Sequence, residues 1–141
     1  MSEYSQNRKV NRILDANLNR AKEGLRVCEE VARFVLDNPK LTSRLKAARH
    51  KIDRLARSLA SSPELLKMRK SLSDVGRNNS AGELKRENVD DIFRANIQRC
   101  KESMRVLEEF SKLSDLKAAL KFKALRYEIY DIEKVIFKNL S

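Results

Sequence analysis

Four stretches of the chain carry apolar residues in alternating steps of four and three, the spacing that lines up one seam of a helix packed nearly parallel to its neighbours. The first seam is Leu14, Leu18, Ala21, Leu25, Cys28, Ala32 and Val35, and the second is Leu41, Leu45, Ala48, Ile52, Leu55 and Leu59. The third is Phe93, Ile97, Cys100, Met104 and Leu107, and the fourth is Ala118, Phe122, Leu125, Ile129, Ile132 and Ile136. Turn residues are correspondingly scarce: Gly 3 and Pro 2 are five of 141 residues, well under the usual share of about 12%. Sandwiches, barrels and doubly wound sheets need turns every ten or so positions, so they are disfavoured. The expectation is an all-α protein.

The four segments are related in pairs. Residues 12–30, RILDANLNRAKEGLRVCEE, align without a gap on residues 91–109, DIFRANIQRCKESMRVLEE, with ten of nineteen positions identical at an offset of 79. At an offset of 77, Leu45 to Ile52 align on Phe122 to Ile129. The unit is a helical hairpin present twice, which predicts a four-helix bundle built from two tandem hairpins related by internal duplication. Read as a single domain over 1–141, it divides into a first repeat at about 8–60, a connector at 61–88 and a second repeat at about 89–138. Asn38-Pro39, Ser62-Pro63, Asn88 and Ser114 offer polar caps at helix starts. The short connections at 37–40 and 111–115 force antiparallel hairpins. The connector holds Gly76 and Gly82, and segments of that length in a compact domain are commonly functional or disordered.

The net charge of +11 attracts nucleic acids, anionic membranes and phosphorylated small molecules alike. No apolar run approaches the roughly 18 residues of a membrane span, and the N-terminus lacks a signal-peptide core, which reads as a cytoplasmic protein without a membrane partner. Cys28 and Cys100 fall on the seams, where a free thiol behaves as a small hydrophobe.

Several polar residues recur in both repeats. Asn17 and Asn96 lie near the centre of the apolar stripe, either as a structural pair fixing helix register or as ligand-facing groups. Arg20 and Arg99 flank them, which makes a converging Asn/Arg pair from each hairpin geometrically possible around a pseudo-two-fold axis, a cluster that would suit a phosphate. Glu23, Arg26 and Glu30, with Glu102, Arg105 and Glu109, project from the opposite side, where a solvated, salt-bridged face is the simpler reading. Their retention in both copies favours something more. Glu29-Glu30 and Glu108-Glu109 are also carboxylate pairs of the kind that hold Mg²⁺, with interleaved arginines competing for them. Gly24 matches Ser103, a repeated small residue consistent with close helix approach. His50, the only histidine, aligns with Tyr127 and is a poor choice of essential base. The second helix is basic, but its charges are scattered and lack interleaved aromatics, which disfavours nucleic acid.

The run Arg12-Ile13-Leu14-Asp15-Ala16-Asn17-Leu18, through Arg20, Glu23-Gly24-Leu25-Arg26-Val27 and Glu29-Glu30, resembles the helical domain found fused ahead of thiamine-phosphate synthase. Ala95-Asn96, Arg105 to Phe110, Lys112-Leu113 and Leu125 to Glu133 extend the resemblance over essentially the whole chain. It implies an alternative hydroxymethylpyrimidine-phosphate kinase, which passes the γ-phosphoryl group of ATP to a phosphorylated pyrimidine. Thiamine-phosphate synthase is then an implied partner, and a homo-oligomer is compatible. In that reading Arg20, Arg26, Arg99 and Arg105 bind phosphates, with Asn17 and Asn96 beside them, and Glu30 and Glu109 hold Mg²⁺. The family's connector pattern, Arg-Asp-Thr-x-Gly-Asp-x-Gly-Thr, appears here as Arg69 to Arg77. Arg69, Asp74 and Gly76 are kept as site residues, whereas Lys70, Ser73 and Arg77 replace an acid, a glycine and a threonine. That departure leaves open a changed substrate, or a binding module without catalysis that docks a partner enzyme or nucleic acid through the basic second helix.

Overall fold

A computed structural model describes residues 1–59, 69–79 and 84–140. Four long helices, α1 (Glu3–Glu30), α2 (Pro39–Leu59), α3 (Val89–Ser111) and α4 (Leu116–Leu140), form an all-α bundle. Each helix has two neighbours in the ring α1, α2, α4, α3, and contacts across each pair fix its direction. Cys28 Sγ reaches Phe93 O at 3.9 Å while Gly24 backs onto Asn96, so α1 and α3 are antiparallel. Glu29 pairs with Arg49 and Lys22 with Asp53, which sets α2 antiparallel to α1. Lys101–Glu133 and Glu108–Arg126 do the same for α3 and α4.

Every seam residue named above is buried except Val35 and Leu59. Val35 misses the core because the helix does not continue as an α-helix. Residues Val31–Val35 form a π-helical turn, closed by the Leu36 N–H on the Val31 carbonyl at 3.0 Å. One extra residue per turn rotates the face. Val31 therefore turns inward to 6% exposure, and Phe34 and Val35 face solvent. Asp37 then takes φ 48°, a left-handed position that ends the first arm of the hairpin.

Capping follows the sequence at Asn38, whose Oδ1 accepts the Leu41 N–H at 3.0 Å, and at Asn88, whose Oδ1 accepts the Asp91 N–H at 2.8 Å. The start of α4 differs. Ser114 still belongs to the closing turn of α3, its N–H on the Ser111 carbonyl, so Asp115 is the cap and its Oδ1 accepts the Ala118 N–H at 3.0 Å. The first helix also begins earlier than expected, at Glu3, because Ser2 Oγ caps the Ser5 N–H. The expected cap at Ser62-Pro63 and the turn at Gly82 lie outside the described residues.

Two buried carboxylates brace the corners. Glu29, 4% exposed, is held by Arg26 and by Arg49 from α2; Glu108, 3% exposed, is held by Arg105 and by Arg126 from α4. Burial works against the charge on Glu108, but hydrogen bonds and attraction from Arg126 and Arg105 outweigh it and hold its pKa below the ordinary glutamate value. The two thiols are buried and unpaired, and burial pushes Cys28 up to about 12 and raises Cys100 as well, so neither is poised as a nucleophile.

Candidate functional site

The connector returns along the seam between α1 and α3 and is stapled there by one ion pair. Arg69 donates from Nε to Asp15 Oδ2 and from Nη2 to Asp15 Oδ1, each at 3.0 Å. This two-pronged geometry fixes orientation as well as distance. The hydrogen bond to Asp15 raises the Arg69 pKa further. Beyond it, Ser71–Ser73 make a short 3₁₀ turn. Asp74 Oδ1 then accepts the Gly76 N–H at 2.9 Å, and Asp74 O accepts the Arg77 N–H at 3.2 Å. Gly76 does not sit at positive φ, and a Cβ there would meet only Asp74 Oδ1 at 3.4 Å. The turn is held by the aspartate rather than by glycine's freedom.

Between this segment, α1 and α3 lies a cleft of about 820 Å³. Arg12, Asn17 and Arg20 come to it from α1, Arg99 and Ser103 from α3, and Lys70 and Arg77 from the connector. Among the described residues, Arg12, Arg20, Lys70, Arg77 and Arg99 make no ion pair, whereas Arg26, Arg49, Arg69, Arg105 and Arg126 all do. The cleft also has carboxylates, from Asp15, Glu23, Asp74 and Glu102. A smaller cleft of about 440 Å³ adjoins it and shares Glu23, Arg99 and Glu102.

Asn17, Arg20, Arg99, Arg69, Asp74 and Gly76 therefore meet around one cavity, and Asn96 lies in the adjoining one. Each asparagine ties its Nδ2 to the carbonyl one turn earlier, Asn17 to Ile13 at 2.9 Å and Asn96 to Ile92 at 2.8 Å. That bond fixes the amide orientation within one helix, so the two do not pair with each other across the bundle. Arg26 and Arg105 are not brought to either cleft. They lie over the corner glutamates, Arg26 on Glu29 and Glu30, Arg105 on Glu108 and Glu109. Glu30 and Glu109 are likewise elsewhere, Glu109 shared with Lys112, so carboxylates already neutralised by cations stand where Mg²⁺ was expected.

The face on which Glu23 was grouped with Arg26 and Glu30 is split by the structure. Glu23 and Glu102 turn to the clefts, and the other four take up surface pairs. Repetition in both copies was the signal that could have singled out Glu23 and Glu102. Arg12, Asp15 and Arg77 carried no such signal, since Arg12 and Asp15 align with Asp91 and Arg94 and the connector has no counterpart. Gly24 proves to be a packing residue, because a Cβ there would stand 2.7 Å from Asn96 O. His50 is exposed on α2 and lines neither cleft. On α2, Arg49 and Lys51 are committed to Glu29 and Glu128, which thins the basic face further.

A family model, the ThiD2 family, matches residues 12–135, and that stretch contains both clefts. The chain belongs to the ThiD2 family. Similar proteins include a thiamine-phosphate synthase of Nostoc punctiforme, 38% identical over 92% of this chain and 37% of the relative. One from Synechocystis sp. is 41% identical over 88% of this chain and 35% of its own length, and one from Rhodopirellula baltica 39% over 89% and 34%. This ThiD2 chain thus spans roughly a third of the length of these relatives. No solved structure matches. No described helix is long and apolar enough to cross a membrane.

Proposed function

We propose that this ThiD2 protein serves thiamine biosynthesis as an ATP-dependent kinase of hydroxymethylpyrimidine phosphate, with the α1/α3 cleft as its active site. Family membership and the kinship to thiamine-phosphate synthases support the pathway. The observation that carries the finer reading is the set of five cations that, among the described residues, have no ion-pair partner around one cleft. Phosphoryl transfer asks the protein chiefly to position two anions and offset their charge.

In this reaction an oxygen of the pyrimidine's phosphate forms a bond to the γ-phosphorus. The bond from that phosphorus to the β,γ-bridging oxygen breaks, and its electron pair leaves with ADP. A phosphate monoester loses its second proton near pH 6, so at neutral pH the attacking oxygen is already anionic and requires no base. This fits a cleft without histidine, in a protein whose cysteines are buried thiols. Arg20 and Arg99, one from each hairpin, both line the cleft and would supply charge where the transferring group passes, while Arg12, Lys70 and Arg77 would hold the outer phosphates.

Mg²⁺ commonly takes only one or two protein carboxylates and completes its shell with phosphate oxygens and water. Among the described residues no group of three or more His, Cys, Asp or Glu converges, but Glu23 and Glu102 are carboxylates in the cleft and meet that smaller requirement. They would hold the ion, which neutralises charge on the β- and γ-phosphates. Incubation with Mg-ATP and the pyrimidine monophosphate should yield the diphosphate and ADP. Absence of turnover, both alone and with a thiamine-phosphate synthase added, overturns the assignment and leaves a non-catalytic binding module. In that case charge reversal at Lys46, Arg54 and Arg57 on α2 should abolish binding to the synthase.

A further inference from the structure

The kinase reading leaves open where each substrate lies, and the two adjoining clefts differ in a way that separates them. The larger is walled by the connector, with Arg12, Lys70 and Arg77 at positions that have no cationic counterpart in the second repeat. The smaller has Gly24, Val27 and Ala95 where the larger has Ser103, Val106 and Ala16, and its cations are Arg86 and Arg99 alone. Beside them is Asn96, whose Nδ2 gives one of its two hydrogens to the Ile92 carbonyl and whose Oδ1 accepts no hydrogen bond among the described residues. An oriented acceptor beside small apolar groups suits a planar heteroaromatic ring bearing an amino group. Arg99 lines both cavities, at the border between them.

We propose that the smaller cleft is a separate acceptor subsite. It takes the aminopyrimidine ring against Gly24, Val27 and Ala95, with the amino group on Asn96 Oδ1 and the phosphate directed to Arg99. The larger cleft takes the triphosphate of the nucleotide. The assignment rests on the kinase reading for the identity of the two ligands. Its physical basis is the asymmetry laid over two corresponding half-sites: Asn17 and Asn96 hold equivalent positions 79 residues apart, but connector residues 69–79 line only the first, whereas the second takes Arg86 alone from the described connector residues.

The test uses the full chain and two separate calorimetric titrations, one with hydroxymethylpyrimidine monophosphate and one with a non-hydrolysable ATP analogue and Mg²⁺. Val27→Phe fills the smaller cleft and should weaken the monophosphate at least about tenfold, leaving the nucleotide within about twofold. Arg77→Ala, on the exposed connector, should do the reverse. Ala95→Leu fills the same cleft from α3 and serves where a melting curve shows Val27→Phe to be unfolded. Parallel loss of both ligands in either variant, no effect of either filling variant on the monophosphate, or failure of the wild type to bind both ligands, overturns the two-subsite assignment. Split binding without turnover keeps the subsites and removes the kinase reading, whereas turnover with unsplit binding does the opposite.

Discussion

The same side chain serves opposite ends in two regions of this bundle. At the corners, Arg49 and Arg126 cross from one helix to the next and close on Glu29 and Glu108, both nearly buried. In the cleft, Arg20 and Arg99 stand exposed with no carboxylate within ion-pair distance among the described residues, although Glu23 and Glu102 line the same cavity. A guanidinium that has given its donors to a buried carboxylate holds the fold and has little left for a ligand. One that has not keeps its donors available to an anion.

The largest effect that could break this contrast is at the corner. Arg126→Ala leaves Glu108 buried without its interhelical partner, and denaturant unfolding should show a loss of about 3–5 kcal/mol; a loss under about 1 kcal/mol would place the two arginine classes on an equal footing. Arg20→Ala should show the mirror image, with turnover lowered by about 10²–10³ and the urea midpoint almost unmoved. Gly24→Ala probes the helix contact between them. Its methyl meets the backbone oxygen of Asn96 at 2.7 Å, so the helices must separate, at about 1–3 kcal/mol, with both clefts distorted. The mildest test is pH. The folded-state pKa of Glu108 is depressed, so its contribution is fully present above the ordinary glutamate range and is lost as pH falls through the folded value. Glu108→Gln should therefore flatten the acid limb of the stability profile, read from thermal melts between neutral and strongly acidic pH. An unchanged acid limb would remove Glu108 from the corner brace.

Much of this was legible beforehand because helical periodicity is local. Three of the four seams are buried as the spacing predicts, save for the half-buried Leu59, and the first fails only at Val35, where a π-helical turn shifts the phase by one residue. No feature of the apolar pattern announces such a turn. The cleft was half legible. Arg20, Arg99 and Asn17, singled out because their types recur at corresponding positions, line the cleft, whereas Arg26, Arg105, Glu30 and Glu109, singled out by the same recurrence, line neither cleft. Repetition marks a residue as retained, but it does not separate retention for packing from retention for a ligand. Only the partners do so, and Arg49 and Arg126, which show that Glu29 and Glu108 belong to the fold, lie 20 and 18 residues away on other helices.

By its own spacing the sequence determined four helices, their antiparallel hairpins, the apolar seams and the pairs of polar residues that recur with them, since each of these depends on neighbours within a turn or on a short connection. The tertiary structure decided which arginines form ion pairs among the described residues and which do not, that Glu23 and Glu102 line the clefts while Glu30 and Glu109 do not, and that Arg69 clamps the connector against one half-site by gripping Asp15. Those outcomes depend on distances between elements far apart in the chain, and charge pairing is settled by such distances rather than by residue type.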